Sequence, residues 1–326
     1  MKENVLQRTL SPISTGLEEF ERALAESLGE HAGLIGEMAS HVLSSPGKRI
    51  RPAMYLLSSF VNDDTHATPV GGAVAIELIH TATLLHDDVN DGADQRRGRP
   101  ALNRVWGNLS AVLMGDLLFA RAFRIMVDLG NPKVLRAISA ATERVAIGEL
   151  LQVQEIRNFE LSEANYLRII GNKTASLFAA SCESGSLLSG DTRWSERFRS
   201  FGELVGLGFQ IADDLLDYIG DELLTGKPLG NDLREGKVTL PLIYALRDGS
   251  EPERRRILSR LQAGNDGQDG FDEIVHHVRA CGGFEYAQQR AEDYCTQALD
   301  MIADVGDSAY KSALEELVAH AVSRQA

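Results

Sequence analysis

The chain has little cysteine, few aromatic residues, no long apolar run and no surplus of positive charge. Its three cysteines, Cys182, Cys281 and Cys295, are odd in number and show neither CxxC nor ligand-like spacing. Neither a disulfide framework nor a thiolate metal site is indicated, and the three read as small buried hydrophobes in a reducing compartment. Aromatics make up only 6% of the 326 residues. No stretch approaches the ~18 uncharged apolar residues of a membrane span. The opening MKENVLQRTLSPIS lacks the basic-then-apolar layout of a secretion signal. A soluble, cytoplasmic protein is the expectation. A net charge of -14 makes the surface repel nucleic acid and acidic membranes. No nucleic-acid partner is expected, and any anionic ligand needs a local basic cluster or a metal ion.

What is present is helical periodicity. In VAIELIHTATLLHDD, Val74, Leu78, Thr81, Leu85 and Val89 recur at a 3–4 spacing, and Leu314, Leu317 and Val318 do the same near the end. Alternating strands with hairpin turns are not evident. Breaks fall at residues 44–48, 62–69, 92–100, 130–132, 190–192, 221–237 and 263–270, most of them marked by Pro or Gly. None is long enough for a domain linker. The chain is expected to form a single all-α domain over residues 1–326, a helical bundle with a central cavity.

Two carboxylate motifs stand out. LLHDDVNDGADQRRGRP carries Asp87, Asp88 and Asp91 at the end of an apolar helical run, and GFQIADDLLDYIGD repeats the spacing with Asp213, Asp214 and Asp217. Residues i and i+4 share a helix face, about 6 Å apart along the axis. Like charges at that spacing, at the negative end of the helix dipole, are locally unfavourable, so a cation is expected to compensate them. Oxygen ligands without nearby His or Cys suit Mg²⁺, or Mn²⁺. Mg²⁺ takes one or two carboxylates and completes its shell with water and phosphate oxygens, which points to a diphosphate ligand. Basic residues beside Gly and Pro turns are candidates for its other side: Lys48, Arg49 and Arg51; Arg96, Arg97 and Arg99; Lys173 with Thr174; Lys227 and Lys237.

Taken together these segments resemble the trans-isoprenyl diphosphate synthases, or polyprenyl synthetases. The resemblance runs from about Ser44 to the C-terminus through GKRIRP, IHTATLLHDDVNDGADQRRGRP, KTASLF, GFQIADDLLDY and GKPLGNDLREGKVTLPL, in the family's order. It implies an all-α homodimer that condenses isopentenyl diphosphate with an allylic diphosphate, using about three Mg²⁺ ions. Asp87 and Asp91, with Asp88 close by, would bind metal on the allylic diphosphate. Asp213 would bind a further ion, with Asp214 and Asp217 holding its water shell. Arg96, Lys173, Thr174, Gln210 and Lys227 would contact the allylic diphosphate; Lys48, Arg51, His80 and Arg97 would hold isopentenyl diphosphate. No general base is assigned, because in the family the released diphosphate is thought to take the proton. Asn90 and Asn231 depart from residue types common in the family, but neither replaces a named ligand.

Ala82 and Thr83, five and four residues before Asp87, are the family's chain-length positions. Their small size implies a long product, about C30 to C50, of the kind that supplies quinone tails, because a bulky ring there would block the growing chain. The lipid product makes transient membrane contact at release an expectation. The alternatives are a short-chain farnesyl or geranylgeranyl diphosphate synthase, a one-substrate terpene cyclase and a non-catalytic partner subunit. A di-iron helical bundle is a further one, suggested by the E-x-x-H pairs Glu77–His80 and Glu273–His276.

Overall fold

The computed structural model describes residues 2–29, 32–44, 47–60, 70–189, 192–220, 229–262 and 268–322. Among these residues it is helical almost throughout, as the periodicity requires. The helices are α1 (Lys2–Thr9), α2 (Ser14–Gly29), α3 (Leu34–Leu43), α4 (Ile50–Phe60), α5 (Gly71–Asn90), α6 (Leu102–Trp106), α7 (Asn108–Asp128), α8 (Pro132–Gln154) and α9 (Glu163–Ile170). A π-helical turn at Gly171–Ala175 leads into α10 (Ser176–Leu188). Then follow α11 (Ser195–Ile219), α12 (Asn231–Arg234), α13 (Leu240–Asp248), α14 (Glu251–Gln262), α15 (Gln268–Ala280), α16 (Gly283–Ile302) and α17 (Ala309–Val322).

The break expected at 130–132 falls where α7 gives way to α8, which opens at Pro132. The one at 92–100 folds into a two-stranded hairpin, β1 (Gln95–Arg96) and β2 (Arg99–Pro100), which helical periodicity could not foretell. The other breaks lie wholly or partly outside the described residues.

The chain divides into two compact units. The first comprises residues 1–142, 177–202 and 301–317. In it α5 packs most extensively against α7, and also against α4 and α2. Phe20, Leu57, Ile76, Leu78, Leu118, Phe178 and Phe198 are fully enclosed there. Burying each such side chain is worth roughly 1.5–3 kcal/mol, which is why the 3–4 apolar spacing of α5 specifies its orientation. The second unit comprises residues 143–176, 203–300 and 318–326. Its core includes Ile169, Val205, Ile211, Leu215, Leu242, Ile274 and Val278, with α13 packed on α9 and α15. The borders between the units fall inside α8, α10, α11, α16 and α17, so no linker separates them in sequence.

Candidate active site

In the first unit, the first aspartate motif closes α5. Asp91 is its C-cap residue, its backbone N–H donating to the Asp87 carbonyl at 2.8 Å. Asp87 is half-buried and Asp91 exposed, and helical spacing sets both on one side of α5 with His80. Asp88 is turned about 100° from Asp87 and has a different environment. It is only 2% exposed, and the Arg96 guanidinium donates to its Oδ1 from Nε at 2.8 Å and again from Nη2. Asp88 and Arg96 face an apolar cleft with Leu24, Leu28, Leu85 and Leu102. The Asp88 carbonyl accepts from the Ala93 N–H at 2.9 Å and from Asn103 Nδ2 at 3.1 Å, which ties the hairpin and α6 to the end of α5. The Asp88–Arg96 pair therefore has a structural task beside the roles the resemblance implies.

The hairpin aims the next arginine. Arg96 pairs with Arg99, leaving Arg97 and Gly98 as a two-residue turn with φ of 52° and 75°. Positive φ at both central residues is the type I′ geometry that suits twisted hairpins. A non-glycine residue there costs about 1 kcal/mol or more, so Arg97 is held against a local preference. Its guanidinium lies over Gly47, whose missing Cβ would come 2.7 Å from Nη2 and 2.9 Å from Nη1. Arg49, also at positive φ (53°), donates to Glu21 at 2.7 Å and to buried Glu77 at 2.6 Å. Arg51 lies over the Phe178 ring, 4.5 Å from its centroid, and its Nη1 donates to His80 Nε2 at 3.2 Å. Lys48 is exposed beside them. The structure thus gathers Arg51 and His80, and sets Arg97 over Gly47 of the GKRIRP turn.

Burial, and then the positive charges of Arg51, Arg97, Arg96 and Arg49, hold the His80 imidazole well below the ordinary histidine value of 6.5. The unfolded chain takes up that proton near 6.5 and the folded chain only well below it. Stability is therefore full above about pH 6.5 and declines as pH falls through that value. Between about pH 7 and about pH 5.5 the urea midpoint of the wild type should fall more steeply than that of His80→Gln. Equal slopes would remove His80 from the account.

In the second unit, the second motif closes α11. Asp213 is exposed. Asp214 is buried, and its carboxylate accepts from the Tyr166 hydroxyl at 2.7 Å and from Gln210 Nε2 at 2.6 Å. Thr174 donates in turn to Gln210 Oε1 at 2.7 Å. Burial pushes the Asp214 carboxyl up to about 7, opposed by the hydrogen bonds from Tyr166 and Gln210. Asp217 caps α12: its Oδ1 and Oδ2 accept from the backbone N–H groups of Asn231 and Asp232, each at 3.1 Å. Thr174, Gln210 and Asp214 thus form one continuous chain of hydrogen bonds, while Asp217 holds the start of α12. Lys173 sits on the π-turn and donates to Glu149 at 2.9 Å and to Gln152 at 2.7 Å. Lys227 lies outside the described residues.

Sequence reasoning did not find Tyr166, Asn103, Glu149 or Gln152. None belongs to a motif, and each acts through a contact made by tertiary packing. The E-x-x-H carboxylates have other partners. Glu77 pairs with Arg49, while Glu273 pairs with Arg260 and, at 3.1 Å, with Arg256. Among the described residues no three His, Cys, Asp or Glu side chains converge on a protein-only metal cage. The donors in each unit are carboxylate oxygens, Asp87 and Asp91 at the end of α5 in the first and Asp213 on α11 in the second. That set fits Mg²⁺, which takes few protein carboxylates and completes its shell with water and phosphate.

Comparison with known proteins agrees with this geometry. The polyprenyl synthetase family model matches residues 32–278. Octaprenyl diphosphate synthase of Escherichia coli K12 is 38% identical over 303 residues, covering 93% of this chain and 94% of that protein. The geranyl-diphosphate-specific all-trans-nonaprenyl-diphosphate synthase of Rhodobacter capsulatus is 37% identical and covers 98% of both. Among solved structures, the polyprenyl synthase of Caulobacter crescentus CB15, complexed with calcium and isoprenyl diphosphate, superposes with a TM-score of 0.93 at 36% identity over 98% of both chains. Matches that span the motifs, nearly the whole length and the whole fold place the chain in the polyprenyl synthetase family and make it a prenyltransferase.

Proposed function

We propose that the protein extends an allylic diphosphate with isopentenyl diphosphate to a long trans-polyprenyl diphosphate, about C30 to C50, for quinone side chains. The observation that carries the chemistry is the pair of aspartate motifs, each ending a helix and flanked by fixed basic groups. Asp87 and Asp91 would hold Mg²⁺, with Asp88 close by, and Asp213 would hold a further ion, with Asp214 and Asp217 on its water shell. Bound magnesium neutralises charge that builds on the leaving diphosphate. Lys173 adds a cation on the allylic diphosphate, where Arg96, Thr174, Gln210 and Lys227 are also assigned. Lys48, Arg51, His80 and Arg97 hold the isopentenyl diphosphate, so its double bond is placed to attack the allylic carbon as the C–O bond breaks. Apolar walls keep water from the cationic carbon. The released diphosphate takes the proton.

The long product is supported by the relatives, named as octaprenyl and nonaprenyl synthases. The test incubates pure protein with Mg²⁺, labelled isopentenyl diphosphate and farnesyl diphosphate or other allylic primers. A ladder ending between about C30 and C50 is expected. No extended product with any primer would sink the proposal, and a ladder ending at C15 or C20 would replace it with the short-chain reading.

We further infer a cytoplasmic homodimer whose units fold as one domain. None of the described helices is long and apolar enough to cross a membrane. Along α7, Leu109, Leu113, Phe123 and Val127 are 74%, 56%, 45% and 64% exposed, at a spacing that sets them in one stripe. A stripe of large exposed apolar side chains marks a protein interface. Leu113→Glu should shift the sedimenting mass from dimer to monomer; a wild type already monomeric at micromolar concentration would end the dimer proposal.

A further inference from the structure

The motif lysine and threonine, Lys173 and Thr174, stand on a π-helical turn, Gly171–Ala175, rather than on regular α-helix. A π-turn is a costly irregularity, found mostly at functional sites, and its widened ladder needs extra hydrogen bonding. Arg144, on α8 and outside every motif, supplies much of it. Its Nη2 donates to the Gly171 carbonyl at 3.0 Å, and that carbonyl also accepts the Ser176 N–H across the turn. Its Nε donates to Asn172 Oδ1 at 3.2 Å. Glu203, accepting from Nη2 at 2.7 Å, holds the guanidinium in place. Asn172 Nδ2 then donates back to the Arg168 carbonyl at 2.7 Å, and the Ser176 hydroxyl donates to the Asn172 carbonyl at 2.6 Å. One α-helical turn along α8, Gly148 lets the two backbones meet: a Cβ there would stand 2.8 Å from Lys173 Cα and nearer still to its nitrogen. On the next turns Glu149 and Gln152 accept from Lys173 Nζ.

We propose that Arg144 is a positioning residue: it pins the π-turn open so that Lys173 and Thr174 present their side chains to the allylic diphosphate. The guanidinium does not touch substrate. It acts by fixing the register of two residues that do, and Glu203 is its counter-anchor. The inference rests on the reading of Lys173 as an allylic-diphosphate contact.

The experiment compares Arg144→Met, Arg144→Lys, Lys173→Met and the double variant Arg144→Met/Lys173→Met, with each substrate varied in turn. Arg144→Met should raise KM for the allylic diphosphate about tenfold, the effect of one lost charge-assisted hydrogen bond. KM for isopentenyl diphosphate should stay within about twofold. Arg144→Lys retains one donor and should recover part of the loss. The double variant should resemble Lys173→Met alone, because Arg144 acts through the turn that carries Lys173. Amide exchange at Lys173 and Thr174 should quicken in Arg144→Met while α10 stays protected. Strictly additive losses, or equal rises in both KM values, overturn the proposal. So does an unchanged allylic KM in Arg144→Met while that of Lys173→Met rises. An unchanged allylic KM in Lys173→Met overturns instead the assignment of Lys173 on which the proposal stands.

Discussion

Asp87→Asn lowers kcat/KM by roughly a thousandfold and leaves thermal stability nearly unchanged. The amide keeps the volume of the carboxylate and removes the charge proposed to bind metal. Removing one group that stabilises a developing anion costs about 10²–10³ in rate, and loss of a metal ligand falls at the upper end of that range. Asp87 is only half-buried and ends its helix at the negative pole of the dipole, so neutralising it relieves repulsion in the free protein. The neighbouring Asp88 should answer differently. Its carboxylate is buried against Arg96, and Asp88→Ala leaves that guanidinium without its partner. Removing one member of a buried pair costs about 3 kcal/mol or more, so this variant should lose stability as well as activity. Steady-state assays of extracted product, run beside thermal denaturation, separate the two. A loss of less than about tenfold in Asp87→Asn would take the metal role from this residue.

Thr83→Phe truncates the product. Thr83 is half-exposed on α5, one turn before Asp87, with its hydroxyl bonded to the His80 carbonyl at 2.7 Å. A phenyl ring placed there lies on the side of α5 that carries Asp87, where the proposed product path begins. The product ladder should stop at about C15 to C20 instead of running past C30. Ala82→Phe should also shorten the ladder, but with a second effect. Ala82 is fully enclosed, so a ring there displaces packed neighbours. Overpacking of this kind costs about 1–3 kcal/mol, and a lower melting temperature should accompany the shorter product. Ladders of wild-type length in both variants would place the stop elsewhere in the fold.

Both motif helices could be read from the chain itself, because their evidence is local. The 3–4 apolar spacing from Val74 to Val89 gives α5, and two copies of D-D-x-x-D at the ends of apolar runs give the proposed metal ligands. The rest depends on partners far away in sequence. Tyr166 reaches Asp214 across 48 residues, and nothing near either one announces it. That Asp217 accepts the Asn231 and Asp232 amides, 14 and 15 residues on, shows only in the fold. KTASLF reads as ordinary helix, since its π-turn is imposed by the approach of α8 at Gly148 and by the donors of Arg144. The break at 92–100 is legible as a Gly-marked turn, but neither the hairpin in it nor the left-handed backbone of Arg97 is. A motif names the residue that meets the ligand; distant packing decides how that residue is held.

Gly47 illustrates a cost of that division. It binds nothing through a side chain, yet any other residue there would occupy the space of the Arg97 guanidinium. In a saturation mutagenesis screen for activity, position 47 should therefore be tolerated less well the larger the side chain, as the Arg97 guanidinium is pushed further from its place. The same screen scored for protein abundance should find it permissive. Such a mismatch between activity and abundance identifies a position that serves the substrate only by staying empty.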